Sequence, residues 1–413
     1  MSAQSLPAPA VLIRPMRSLW LLGIAHAVNH AEAFLLPLVY LRVADEFGVG
    51  ADAIAYLAAI GSFLAGAIQL GYAGLTRIAS RRSILGTGGV VMGAAFAAQA
   101  LASTFPAFAV ANVTSRLGGS PQHPVGNGLL AEQFPQERRG FAISAHIAGG
   151  NVGTVVAALA GTWLIAGIGW RWTVVLFGVP AIVIALGVWL FMRETGADRT
   201  AAVAQGSLRA AFRTMLRSRD LLWLYVASAL GGGGRGLGVV NLFALLYLTH
   251  VVGLDETTAD VMYAALIIFS VPAPLLAGWL SDRWGRKPLI VAVYLGGAVA
   301  FAIFTLAGAN LAGLWLGIVL MGIFSFAESP QLQALLADIS PPRIRDVSFA
   351  TYFTLAFGIG SLWVVLYGAL IDAFGEAAGL PLAFWLMAVS FLLAALAVLP
   401  IRETAPGPAA EDG

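Results

Sequence analysis

Glu32, Arg116, Arg235 and Glu328 are the four charged side chains that fall near the middle of long apolar runs in this sequence. A charge in such surroundings costs roughly 2.5–3.5 kcal/mol on insertion scales, so it faces a cavity or a partner. Two chemistries suit the set. The arginines can hold an anion while a glutamate carries a proton, because a dry pocket strengthens a carboxyl's hold on its proton and a nearby guanidinium weakens it. Alternatively, Glu32–Arg116 and Arg235–Glu328 are static ion pairs. Polar neighbours accompany these groups. Asn112, Arg116, Gly119, His123 and Asn127 follow the i, i+4, i+7 spacing of one helix face. His26 and His30 are spaced i, i+4, which lets two imidazoles meet one metal ion, with Asn29 between them. No thiolate or second carboxylate accompanies the pair, so no metal is assigned. The imidazoles are read as solute contacts or proton relays, their ordinary pKa being near 6.5. His123 and His146 are expected nearer the cytoplasmic side, and Gln331 lies one turn past Glu328. Tyr263, Tyr352, Phe357 and Trp363 are candidates for an aromatic wall.

The elements that position these residues follow from composition. Of 413 residues, 59% are hydrophobic and 11% charged, against about 25% charged in soluble proteins. With a mean hydropathy of +0.85, the chain reads as an all-α polytopic membrane protein. Apolar runs of helix-spanning length, roughly 20 residues, fall at 19–41, 52–76, 83–103, 105–131, 140–166, 172–192, 221–249, 257–281, 288–308, 310–336, 347–373 and 380–401. The absence of cysteine excludes disulfides, thiolate metal sites and cysteine nucleophiles. The first 18 residues carry no apolar core with a cleavage site, so the first run is expected to be retained. No loop is long enough for a soluble catalytic domain. Gly231 to Gly236, with Arg235 inside it, lies within an apolar span with no strand before it and is not a phosphate loop.

Charge placement orients the chain. With both termini cytoplasmic, inside segments hold 19 of the 23 basic residues and outside segments hold two, Arg42 and Arg171. A polar, arginine-rich connector at 193–220 separates an N-terminal six-helix bundle, 1–192, from a C-terminal one, 221–413. The halves repeat. Arg193-Glu194-Thr195 recurs as Arg402-Glu403-Thr404 and Ser120-Pro121-Gln122 as Ser329-Pro330-Gln331, while LLAEQFPQERR (129–139) parallels LLADISPPRIR (335–345). Aligning Trp20 with Trp223 sets Glu32 opposite Arg235. Parallel six-span repeats are how many secondary transporters are built.

The loop from Gly278 to Lys287 reads G-W-L-S-D-R-W-G-R-K, which resembles the cytoplasmic loop motif of the major facilitator superfamily. That resemblance implies gating roles for Asp282, Arg283, Arg286 and Lys287. The N-half copy keeps Arg81 and Arg82 but has Arg77 where the aspartate would fall, so the gate there is expected to be held differently. H-A-V-N-H-A-E (26–32), G-G-S-P-Q-H-P (118–124) and E-R-R-G-F-A-I-S (137–144) resemble the fosmidomycin-resistance branch of drug exporters, although span 5 has no proline in its glycine-rich stretch. The resemblance implies the major facilitator fold: twelve transmembrane helices in two pseudo-symmetric six-helix bundles. It also implies proton-coupled export of a small anionic or amphipathic solute or drug by alternating access. Uptake of an organic anion and transition-metal ion transport are the alternatives. Glu32, Glu328 and His30 are the expected proton carriers. His26, Asn29, Asn112, Arg116, His123, Arg235 and Gln331 are the expected solute contacts, with Arg81 and Arg82 joining the gate. No cofactor and no nucleic acid are expected. The partners are a small-molecule solute, protons and the lipid bilayer of a bacterial cytoplasmic (inner) membrane, with the protein a monomer.

Overall fold

The computed structural model describes residues 12–204 and 206–404, and within them the chain is helical with no strand. Twelve membrane helices follow from the apolar runs. They are α1 (Pro15–Phe47), α2 (Ala51–Ile78), α3 (Arg81–Leu101), α4 (Phe105–Gly119 continuing as Pro124–Gln133), α5 and α6, α7 (Arg219–Gly234 and Gly236–Val251), α8 (Glu256–Trp284), α9 (Arg286–Leu306), α10 (Leu311–Ile339), α11 (Pro342–Phe374) and α12 (Glu376–Val398). α5 and α6 are one unbroken run in hydrogen bonding, Gln136–Phe191. At 1.5 Å per residue it would be about 84 Å long, far more than a bilayer. Gly169, at φ 77° and ψ 160°, turns the chain there, so α5 is 136–168 and α6 is 170–191. The connector holds two short helices, Ala197–Ala204 and Leu208–Leu216.

α1 and α5 pack with little between their backbones. A methyl group at Gly149 would lie 2.5 Å from the Gly23 carbonyl oxygen, and one at Gly153 would collide with the Ala27 carbonyl. The glycines of span 5 are therefore a contact stripe, as small residues are between membrane helices. Large apolar side chains such as Leu159, Trp163, Trp172 and Val183 stay exposed on the outer surface, where lipid replaces water.

The two halves meet toward the end of the molecule where α1 begins and α12 ends. There Asn127 donates to Gln333 (2.5 Å), Gln331 to Ser144 (3.0 Å) and Asn151 to the Ser270 carbonyl (2.7 Å). Toward the opposite end the halves part, and a central cavity opens between them.

Candidate functional site

The cavity has a volume of about 370 Å³ and is lined by α1, α2, α3, α4 and α5 of the first half and by α7 and α11 of the second. Arg116 lies on its wall. Its guanidinium donates to Tyr40 Oη (2.9 Å), Ser62 Oγ (3.1 Å) and Asn112 Oδ1 (3.2 Å), all uncharged oxygens. Glu32 lines the same cavity. One of its carboxyl oxygens accepts from Ser115 (3.4 Å), and the other has no partner among the described residues. Glu32 and Arg116 are thus brought to one cavity without pairing.

The second half is arranged otherwise. Arg235 is paired with Glu328 at 3.2 Å, and Tyr294 donates to the same carboxylate at 3.0 Å. Glu328 is fully buried, and neither member of the pair lines the cavity. Of the two ion pairs read as an alternative, one exists.

Two helix breaks bring backbone to the cavity. In α4, Pro121 and Pro124 interrupt the helix through a 3₁₀ turn at Ser120–Gln122. The carbonyls freed there are taken up by side chains, Gly119 O by Asn29 (3.0 Å) and Leu117 O by Ser120 (2.7 Å), as an apolar environment requires. The related Ser329-Pro330-Gln331 leaves α10 continuous. α7 bends by 49° at Arg235, whose φ and ψ of −64° and 132° are extended. Beyond it Leu237, Gly238 and Asn241 face the cavity. Gly234 abuts Phe301 and Phe391, so the glycine run is close-packed as well as bent.

The predicted polar stripe on α4 divides between wall and interior. Arg116, Gly119 and His123 line the cavity. Asn112 is buried behind it, bonded to Tyr40 (3.1 Å), and Asn127 is buried in the closed end. Asn29 and His30 face the cavity, whereas His26 and Gln331 are fully buried. His123 and His146 join the His26/His30 pair. All four rings form one cluster, with centroids 4.4 Å (His26–His30), 4.6 Å (His26–His123) and 4.4 Å (His26–His146) apart. Phe357 is on the cavity wall, while Tyr352 is buried.

A sequence model of the Major Facilitator Superfamily matches residues 22–240 and, in a second copy, 235–412. The chain belongs to this superfamily. Among its curated relatives, the probable L-galactonate transporter of Escherichia coli is 25% identical over 285 residues, 65% of this chain and 62% of that protein. The cis,cis-muconate transport protein of Acinetobacter baylyi is 30% identical over 220 residues, 49% of this chain and 50% of that one. The matches therefore span about three fifths and one half of these relatives' lengths. Among solved structures, the Escherichia coli fucose:proton symporter superposes with a TM-score of 0.76 at 16% identity, over 92% of this chain and 97% of that one. The human organic anion transporter MFSD10 superposes with a TM-score of 0.72 at 14% identity, over 94% and 100%. At such identities the structures establish the fold alone.

The superfamily loop motif lies at the closed end. Asp282 accepts from the backbone N–H groups of Gly140 (2.9 Å) and Phe141 (2.8 Å) at the start of α5, where the helix dipole favours a negative charge. Arg286 is fully buried, pairs with Asp282 (2.5 Å) and Asp338 (2.9 Å), and donates to the Gln136 carbonyl (2.8 Å) across the interface. The backbone N–H of Arg286 donates to Glu403 at 2.9 Å. In the first half Arg81 repeats this pattern with Glu132 (2.5 Å) and, from its backbone, Glu194 (3.2 Å). Glu132 and Asp338, and Glu194 and Glu403, are equivalent positions of the internal repeat. That repeat was the signal that could have marked all four as functional.

The missing aspartate is supplied from elsewhere. Arg77, in its place, turns away to the Gly206 carbonyl, and Arg81 instead pairs with Asp346 of α11 at 2.7 Å. In the repeat Asp346 is the counterpart of Gly140, the residue on which Asp282 rests. The carboxylate has moved from one side of the interface to the other. Asp198 of the connector, which sequence reasoning passed over as part of a polar loop, joins in by pairing with Arg81 (2.9 Å) and Arg345 (2.5 Å). Arg283, Lys287 and Arg82 make no hydrogen bond or ion pair between the halves among the described residues. Arg283 lies 3.6 Å over the Trp279 ring, Lys287 reaches the Leu399 carbonyl and Arg82 the Met192 carbonyl.

Proposed function

We propose that the protein carries a small organic anion across the membrane by alternating access, coupled to protons, with Arg116 as the anchor for the anion. The carrying observation is the guanidinium on the cavity wall, whose partners are uncharged oxygens alone. A bound carboxylate would supply the missing charge through charge-assisted hydrogen bonds. The names of the relatives, L-galactonate and cis,cis-muconate transporters, support a carboxylate solute.

The coupling proton is assigned to Glu32, which shares the cavity and has no cation beside it. Because the two groups do not touch, proton and anion can be held together and the loaded cavity adds no net charge. That favours symport, and hence uptake. Export by antiport, read from the resemblance to drug exporters, requires proton and solute to exclude each other. In this reading the closed end is cytoplasmic, as the basic residues indicate, and the cavity faces outward in a monomer of the bacterial inner membrane. Asp282, Arg286, Arg81 and Asp346 hold the gate shut.

The test is solute flux in proteoliposomes given a pH gradient and a panel of aldonates, dicarboxylates and phosphonates. Accumulation down an inward proton gradient establishes symport of that class. Accumulation against it establishes export, and no flux of any anion defeats the assignment.

A further inference from the structure

We propose that His26, His30 and His123 form a binding site for a divalent first-row transition-metal ion at the floor of the cavity, with one coordination position left open to it. One ring nitrogen from each residue falls in a group whose members all lie within 4.8 Å of one another. Three of the nitrogens in the histidine cluster, His26 Nε2, His123 Nδ1 and His146 Nε2, are buried with no hydrogen-bond partner among the described residues.

The surroundings prepare these rings as ligands. His26 Nδ1 lies 2.8 Å from the His146 carbonyl oxygen and must donate to it, which leaves the Nε2 lone pair free. A hydrogen bond of this kind on the far nitrogen is what orients metal-binding imidazoles. The Nδ1 of His146 similarly donates to Asn127 Oδ1 (2.8 Å), because the Asn127 amide is committed to Gln333 (2.5 Å). On the α5 side the site exists only because residue 150 is glycine. A methyl group there would lie 2.9 Å from the His26 ring and 3.1 Å from His30. Phe353, of the other half, covers His123 with ring centroids 5.0 Å apart.

The chemistry selects the ion. Imidazole nitrogens alone suit zinc, copper, nickel or cobalt rather than the hard magnesium and calcium ions, which take oxygen. Zinc binds nitrogen at about 2.0–2.1 Å, which puts tetrahedral ligands about 3.4 Å apart. The rings must therefore close by up to about 1.4 Å on binding. His30 and His123 face the cavity and have room to move. The i, i+4 pair supplied two ligands in sequence, and the third comes from the break in α4, which only the fold reveals. The site involves neither Arg116 nor the identity of the solute, so it stands or falls apart from the transport reading.

The test uses full-length protein purified through a tag free of histidine. Co²⁺ is titrated near neutral pH, with visible d–d absorption and equilibrium dialysis as readouts. One equivalent with a tetrahedral-type spectrum is expected, displaced by Zn²⁺. Affinity should fall by at least about tenfold in His30→Ala and in His123→Ala and stay unchanged in His250→Ala, a surface histidine. Should His26→Gln fail to fold, the two cavity-facing variants still decide the matter, with their thermal unfolding confirming the fold. Sub-stoichiometric uptake by the wild type, or binding that survives both His30→Ala and His123→Ala, overturns the proposal.

Discussion

At the scale of single residues, the two halves treat the same inventory differently. Each carries one mid-membrane acid and one base, and that much was legible in the sequence because charges stand out against apolar runs. Which of the two possible pairs forms was not legible, since it depends on helix rotation. Glu328 meets Arg235, while Glu32 and Arg116 stay apart. Glu328→Gln should leave Arg235 without its counter-ion, at a cost of about 3–5 kcal/mol. Thermal unfolding in detergent would show the loss, and Glu328→Gln/Arg235→Gln should recover much of it. Arg116→Ala should leave the fold intact and weaken anion binding by about 10- to 150-fold, the worth of a hydrogen bond to a charged group. Isothermal titration would read that change. Glu32→Gln should abolish proton-driven accumulation while sparing solute exchange. Full accumulation in this variant would remove Glu32 from the coupling role.

At the scale of elements, prolines and glycines marked where helices break or touch, and the structure puts each to a definite use. Pro121 and Pro124 open α4 whereas Pro330 leaves α10 intact, a difference the shared tripeptide did not foretell. It arises because α4 has a second proline three residues on and a side chain, Asn29, ready to take the freed Gly119 carbonyl. The glycine stripe of α5 has less latitude. Gly153→Leu should prevent α1 from seating against α5 and lower the yield of folded protein, seen as loss of a monodisperse peak in gel filtration. The N-half motif lacks its aspartate in sequence, and in the structure Arg81 pairs with Asp346 of α11 instead. Asp346→Asn should loosen the closed end, raising the labelling rate of a cysteine placed at Ser144. The chain has no native cysteine, so that label would be unique. Adding Arg77→Asp to Asp346→Gly should restore slow labelling by returning the carboxylate to its own helix. Fast labelling in that double variant would show that relocation is not what holds the gate.

At the scale of the whole molecule, the repeat read from scattered tripeptides is the architecture itself, two six-helix halves meeting at one end. The carboxylates that tie that end together were the least legible part. Glu132, Asp198, Asp338 and Asp346 sit in short polar stretches that look like ordinary surface until the fold buries them. The crossing of one carboxylate from α2's side of the interface to α11 also bears on kinship between halves. Were each half self-sufficient, this N-terminal bundle could be recombined with the C-terminal bundle of any superfamily member that carries glycine where Asp346 stands. Such a chimera would instead leave Arg81 with Glu132 and Asp198 alone and take away its direct ion pair to the other half. The two bundles should close most firmly on each other as a matched set.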